Sequence, residues 1–177
     1  MSPPLLSVFI ATSLDGRIAD ADGSLDWLTS AAGPDEDYGY DALLDSVDAL
    51  AMGRGTYNHI AEFDPLPFKG KPVYVFTHVS PPPRDGVTFW SMSPGEAVAA
   101  WSDAGHRHVY VDGGRLISDF LAEDLIDALA VTTVPHVLGD GPPLFHPHLP
   151  GSTWTLLTSR AYPSGLVTSR YEREVRK

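Results

Sequence analysis

Arg107-His108-Val109-Tyr110-Val111-Asp112-Gly113-Gly114-Arg115-Leu116-Ile117-Ser118-Asp119-Phe120-Leu121 carries two hydrophobic periods, one after the other. Arg107 to Val111 reads as a short strand, while Leu116, Ile117, Phe120 and Leu121 fall on one face of a helix. Asp112-Gly113-Gly114 stands between them as a tight turn. A strand that turns through glycines straight into an amphipathic helix must bury that helix on a sheet, and the chain then returns to a parallel neighbour. The next apolar run, from about Leu125 to Val134, is placed to be that strand.

The pattern extends upstream. Ser93-Pro94-Gly95-Glu96 combines a capping box with proline at the first helical position, and Gly105 is the stop, so residues 94–104 are predicted as a helix. Asp48 to Met52 is a short strand closed by Gly53, and a second helix begins near Arg54 to Thr56. Pro72 to His78 and Val87 to Trp90 read as strands on either side of the Pro81-Pro82-Pro83-Arg84-Asp85-Gly86 loop. At the start, Leu5 to Ala11 is a buried strand that feeds a long loop through Asp15-Gly16. Tyr40, Leu43, Leu44 and Val47 predict a helix from Asp35 of about three turns, behind Gly33-Pro34. The tail differs: residues 154–161 and 166–175 form two strands around Tyr162-Pro163-Ser164-Gly165, a hairpin with no helix between. The sum is an α/β fold in a single domain, residues 1–177, with a mainly parallel central sheet flanked by helices and an antiparallel C-terminal hairpin at one edge. Val137 to Ser152 is a long loop rich in Gly, Pro and His, a kind that often carries function.

The 177 residues are 43% hydrophobic, contain no cysteine and have a formal net charge of -11. A chain of this length buries a sufficient core without disulfides or a structural metal. Zero cysteine removes thiol nucleophiles and cysteine-ligated zinc. No apolar run nears the roughly eighteen residues of a membrane span, and Met1-Ser2-Pro3-Pro4 lacks the features of a secretory signal, so a soluble cytoplasmic protein is expected. The spread negative charge opposes nucleic acid and anionic membranes as partners.

An anionic small molecule would instead need local N–H groups and cations. Met52-Gly53-Arg54-Gly55-Thr56 and Val111-Asp112-Gly113-Gly114-Arg115 each follow a strand and open a helix, where unpaired N–H groups and the positive dipole end meet an anion. Tight βα packing alone explains one such turn. Two in one short chain, the first with the Arg54 guanidinium and the Thr56 hydroxyl, favour phosphate binding. Neither is a Rossmann or P-loop fingerprint. The pairs His106/His108 and His146/His148 lack carboxylates at organised spacing and read as surface or packing residues, so no metal is expected.

Five blocks in order, Ser13-Leu14-Asp15-Gly16-Arg17-Ile18-Ala19, Asp26-Trp27-Leu28, Met52-Gly53-Arg54-Gly55-Thr56-Tyr57, Val111-Asp112-Gly113-Gly114 and Leu138-Gly139-Asp140-Gly141-Pro142-Pro143-Leu144-Phe145, resemble the signature of stand-alone reductases similar to the C-terminal domain of bifunctional riboflavin deaminase-reductase. That family shares the dihydrofolate reductase fold. The resemblance implies NADPH as cofactor, with Gly53, Arg54 and Thr56 on its phosphates and Asp112, Gly113, Gly114, Arg115 and Leu116 around the pyrophosphate. Thr77 and His78 match the segment that meets the adenosine 2′-phosphate. A basic residue is often found there and is missing, which leaves Arg54, or Arg84 folding back, to supply the cation. The likeness also suggests a strained Gly113-Gly114 link, with a cis peptide as one form of it. Ala11, Ser13, Asp15, Gly16 and Trp27 would face the substrate, and the Leu14 to Asp22 loop would cover the nicotinamide.

Asp26 is the carboxylate placed for substrate chemistry, because it follows that loop beside Trp27 at a helix start and a partly buried carboxyl can deliver a proton. A helix cap with Trp27 as core packing accounts for the same residues, and Asp15 reads as a turn former as readily as an acid. The expected activity is hydride transfer from NADPH to a small heterocycle, pterin-like or ribosylaminopyrimidine-like, as in riboflavin biosynthesis. Rival readings are a nucleotide-binding regulatory protein without turnover and an NADH-linked flavin reductase. The resemblance further implies a homodimer, for which the edge hairpin offers a surface.

Overall fold

The computed structural model describes residues 2–174. Along the chain β1 (Leu5–Thr12) is followed by α1 (Asp26–Ala31), α2 (Tyr40–Ser46), β2 (Ala49–Gly53), α3 (Arg54–Ile60), β3 (Val73–Phe76), β4 (Val87–Trp90), α4 (Pro94–Asp103), β5 (His108–Asp112), α5 (Gly114–Ala122), β6 (Ala128–Thr133), β7 (Trp154–Ala161) and β8 (Val167–Arg173). The strands form one sheet in the order β4-β3-β2-β5-β1-β6-β8-β7. Neighbours from β4 through to β6 are parallel, while β8 runs antiparallel to β6 and β7 antiparallel to β8. The mainly parallel sheet with an antiparallel edge hairpin is thus present, although Val175, the last residue of the predicted hairpin, lies outside the described residues.

Strand alternation divides the core into two layers. Val109 and Val111 of β5 join Leu6, Val8, Trp101, Ile117 and Phe120 beneath α4 and α5. Tyr110, between them, points the other way and packs with Leu43, Leu44, Met52, Tyr57 and Val75 beneath α2 and α3. In the first layer Trp101 is fully buried, 5.7 Å from the Trp90 ring centroid and 5.8 Å from that of Phe120. Its cluster supports the strands whose ends carry the candidate site. Among the described residues no helix is long and apolar enough to cross a membrane.

The capping box of α4 forms as expected, with Ser93 N–H donating to the Glu96 carboxylate at 2.8 Å and Glu96 N–H donating back to Ser93 Oγ at 3.3 Å. The helix predicted from Asp35 is shorter, because Gly39 adopts φ 91° and Tyr38 φ 56°, outside the helical region. Asp37 occupies the extra length as a turn, its carboxylate accepting the N–H groups of Gly39 and Asp41 at 3.0 and 3.2 Å. The cis peptide suggested at Gly113-Gly114 is not there; among the described residues the cis bond joins Asp64 and Pro65. Gly113 turns the chain through φ 94° and ψ 125° instead, a conformation open to glycine over a trans bond.

Trp101→Ala should lower unfolding stability by about 3–5 kcal/mol in a urea titration, since the large ring leaves a cavity among other rigid rings.

Candidate active site

Ligands of open parallel sheets bind outside the carboxyl ends of the strands, and a groove of about 660 Å³ lies there, at the ends of β2 and β3. The Gly53-Arg54-Gly55 turn forms one wall, Arg115 and Leu116 of α5 another, and Phe76, Trp90 and Met92 complete it. Neither α3 nor α5 has a side-chain cap at its N-terminus, so their first-turn N–H groups remain available to an anion beside the two arginines. The two glycine turns touch: a Cβ on Gly113 would stand 2.7 Å from Thr56 Oγ1. A Cβ on Gly114 would collide with Ile18 Cδ1 and approach the Pro143 carbonyl at 3.4 Å. Four of the five sequence blocks therefore converge on one point.

Thr77 is buried, its hydroxyl accepting Val79 N–H at 3.2 Å, and His78 is exposed with Nδ1 3.1 Å from Ser91 Oγ. Both line the groove with Arg54. Arg84 does fold back, but onto the end of α3, donating to the carbonyls of Ala61 and Phe63. It lines a separate groove of about 840 Å³ that meets the first only at Arg54. Arg54 and His78 are thus the basic side chains at this end of the first groove. Asp119 and Glu123 share its lining, and Glu123 accepts Gly95 N–H at 3.0 Å, where it caps α4.

The loop after β1 is laced to the Gly/Pro/His loop. Asp15 accepts the Ser13 hydroxyl at 2.6 Å and the N–H groups of Leu138 and Gly139 at 3.0 and 2.8 Å. These donors, the Ser13 hydroxyl foremost, hold its carboxyl well below the usual carboxylate range. Leu14 N–H donates to His136 O, Ile18 N–H to Pro142 O and Leu144 N–H to Gly16 O, while Arg17 Nη1 reaches Gly141 O at 2.9 Å. Ser13, Asp15 and Gly16, placed on the substrate side by sequence, are occupied in this clamp. The long loop is the structural partner of the loop after β1.

On the opposite face of the sheet the end of β5 carries Asp112. Its side chain follows Tyr110 to the α2 and α3 side, away from the groove on the α4 and α5 side. Burial pushes the Asp112 carboxyl up to about 6, against the opposing hydrogen bonds from Gly113 N–H, at 2.8 Å, and Tyr110. The rings of Phe9 and Tyr110 lie 5.6 and 6.5 Å from that of Tyr40. Ala11 shares the Phe9 face of β1. Asp26 starts α1 in an exposed position, not the partly buried one assumed for it from sequence, and its N–H donates to Ser24 Oγ at 3.1 Å. Trp27 packs 6.4 Å from His136 with its indole N–H buried and unpartnered. Tyr40 and Tyr110 were missed in sequence, although Tyr110 stands two residues before Asp112 in a strand and so had to share its face.

Strand order, the paired glycine turns and the groove between them define a dihydrofolate reductase-like fold. Dihydrofolate reductase from Enterococcus faecalis, complexed with NADP(H) and RAB-propyl, superposes with TM-score 0.66 at 17% identity, covering 97% of each chain. The chain belongs to the family of the RibD C-terminal domain, which it matches over residues 4–168. It is 39% identical over 142 residues to the uncharacterized protein YwjB of Bacillus subtilis, covering 78% of this chain and 81% of that one. A protein from Shewanella sp. PV-4 assigned to riboflavin biosynthesis is similar at TM-score 0.89 and 37% identity, covering 97% and 99%.

Asp15→Ala should speed hydrogen exchange at the Leu138 and Gly139 amides while the sheet amides stay protected. Because the folded Asp15 titrates below its unfolded value, its contribution is complete above about pH 4 and is lost as pH falls through the depressed value. Protection of the same two amides in the unmodified protein should therefore weaken in acid.

Proposed function

We propose that this chain is an NADPH-dependent reductase of a small heterocycle of the pterin or ribosylaminopyrimidine class. The observation that carries the proposal is the junction of two uncapped helix N-termini, each entered through glycine, in one groove with Arg54 and Arg115. A pyrophosphate fits that junction by charge and by close backbone approach. His78 and Arg54, with the Ser91 hydroxyl nearby, fit a 2′-phosphate, which favours NADPH over NADH. Membership of the RibD C-terminal domain family supports the same chemistry.

NADPH bound in the groove supplies a hydride. The chain's own residues orient the reactants and hold the proton that must reach the substrate heteroatom. Asp112 suits that second task, because a carboxyl titrating near 6 is still partly protonated at neutral pH and can donate. Asp26, exposed beside Trp27, suits recognition of a polar edge of the substrate at the mouth of the site. The clamp between the two loops keeps Ile18 over Gly114 and shields the junction from water. The proposal extends to a homodimer through β7, whose outer edge has no neighbouring strand among the described residues and whose Leu156 and Leu157 are 54% and 56% exposed.

Fluorescence titration of NADPH and NADH, followed by turnover with pterin and aminopyrimidine substrates, tests the proposal. Arg54→Ala should weaken NADPH about 10- to 100-fold and NADH much less, as expected for loss of a charge-assisted hydrogen bond. Asp112→Asn should reduce kcat about 10²- to 10⁴-fold with cofactor affinity retained. Binding without oxidation across all substrates would favour a regulatory nucleotide binder.

A further inference from the structure

We infer that the cavity between α5 and residues 146–149 is a second binding site, for a small polyhydroxyl phosphate ester such as a sugar phosphate, and that it shares Arg115 with the cofactor groove. The site stands on the side chains that line it; its coupling to NADPH rests on the reductase reading above.

The cavity holds about 350 Å³, at the small end for a ligand site. Arg115, Ser118 and Asp119 line it from α5, and His146 and His148 from the Gly/Pro/His loop. Both walls are anchored. Leu144, just ahead of the histidines, is 2% exposed in the core layer of Ile117 and Phe120, and the Ser118 hydroxyl donates to its carbonyl at 3.5 Å. His148 holds a left-handed φ of 73° between Pro147 and Pro150, whose rings restrict the backbone on either side. The imidazoles are thus carried by a stiff turn on a fixed helix.

The polar groups of the cavity are unspent. Among the described residues the side chains of Arg115, Asp119, His146 and His148 make no hydrogen bond or ion pair, with one another or with the rest of the chain. Their chemistry selects the ligand. A metal would need three carboxylates or imidazoles gathered together, and among the described residues no such group of three exists. Arg115 offers a planar fork of donors and each imidazole at least one ring N–H, a set that suits phosphoryl oxygens. Asp119 would repel a bare anion but accepts hydroxyl protons. The ligand that serves all four therefore carries a phosphoryl group at one end and hydroxyls at the other, with Ala122 and Leu149 as apolar surface for its carbons.

Arg115 and Asp119 line the cofactor groove as well. One guanidinium cannot turn its whole fork to two phosphates. A phosphate ester in the cavity therefore weakens NADPH in the groove, and NADPH weakens the ester by the same factor. The cavity is in this way a brake on cofactor binding, built on the outer face of α5.

Glycerol 3-phosphate is the probe, with glycerol and orthophosphate as its two halves. In nitrogen-15 NMR of histidine-labelled protein without cofactor, the His146 and His148 ring signals, assigned from His146→Gln and His148→Gln, should shift to saturation with the ester. Each half alone, and the ester with Arg115→Ala, should bind about tenfold or more weakly, the loss expected for a charge-assisted hydrogen bond. Asp119→Ala should weaken the ester and not orthophosphate. Ring signals that do not move overturn the site; orthophosphate binding as tightly as the ester means an adventitious ion only and overturns the ligand class. Saturating ester should then raise the Kd for NADPH about fivefold or more, and the double variant His146→Gln, His148→Gln should abolish that effect. An effect that survives in the double variant puts the ester in the groove and overturns the second site, and no effect in the unmodified protein overturns the sharing of Arg115. Ester binding at the histidines in a protein that takes up no NADPH would leave the cavity standing and refute the reductase reading.

Discussion

The contact between the two glycine turns is the constraint on which the rest of the site depends. Gly113 holds φ 94° with Thr56 where its side chain would be, and Gly114 has Ile18 and Pro143 in the same relation. Any side chain at either position would part α5 from α3 or lift the loop after β1 off the sheet. The contact also requires β5 to run between β1 and β2, as the strand order has it, since only that place brings the end of β5 beside the start of α3. Local backbone geometry, sheet topology and loop placement are thus tied at one junction.

Strand alternation then separates two chemical environments that lie one residue apart. Just past Gly113-Gly114, Arg115 and Leu116 line the groove under α4 and α5, where uncapped N–H groups and arginines gather. Asp112 turns to the other layer, among Tyr110, Tyr40 and Phe9, where burial favours the neutral acid. On the proposed function, a hydride donor in the groove and a proton donor at Asp112 would approach a substrate from different sides of the sheet ends, with the carboxylate set apart from the cofactor phosphates. The exposed charges elsewhere on this acidic chain need no special account.

Most of the fold was legible in the sequence because hydrophobic period and turn residues agree in each unit: the capping box at Ser93, the glycines closing β2 and β5, and the hairpin at Tyr162 to Gly165 all stand where expected. The start of α2 was not, since Tyr38 and Gly39 take left-handed conformations that the apolar spacing of Tyr40, Leu43 and Leu44 does not report. The two glycine turns could be read because glycine and helix starts are local signals. The clamp of Asp15 on Leu138 and Gly139 joins residues 123 and 124 positions apart, and no local signal announces it. Asp112 was noticed, but as part of a phosphate turn; its acid character depends on burial by other elements, which only the folded chain supplies. Asp26 stood out for its neighbours in sequence and proves exposed.

The central claim is that both glycine turns together bind one NADPH. Nitrogen-15 NMR of the labelled protein during titration with NADPH tests it most directly, by the amides of Gly53, Arg54, Gly55 and of Gly113 to Leu116. The account predicts that both sets shift together, saturating at one equivalent, with His78 following only for the 2′-phosphorylated cofactor. Shifts confined to one turn, or lying outside both, would contradict it.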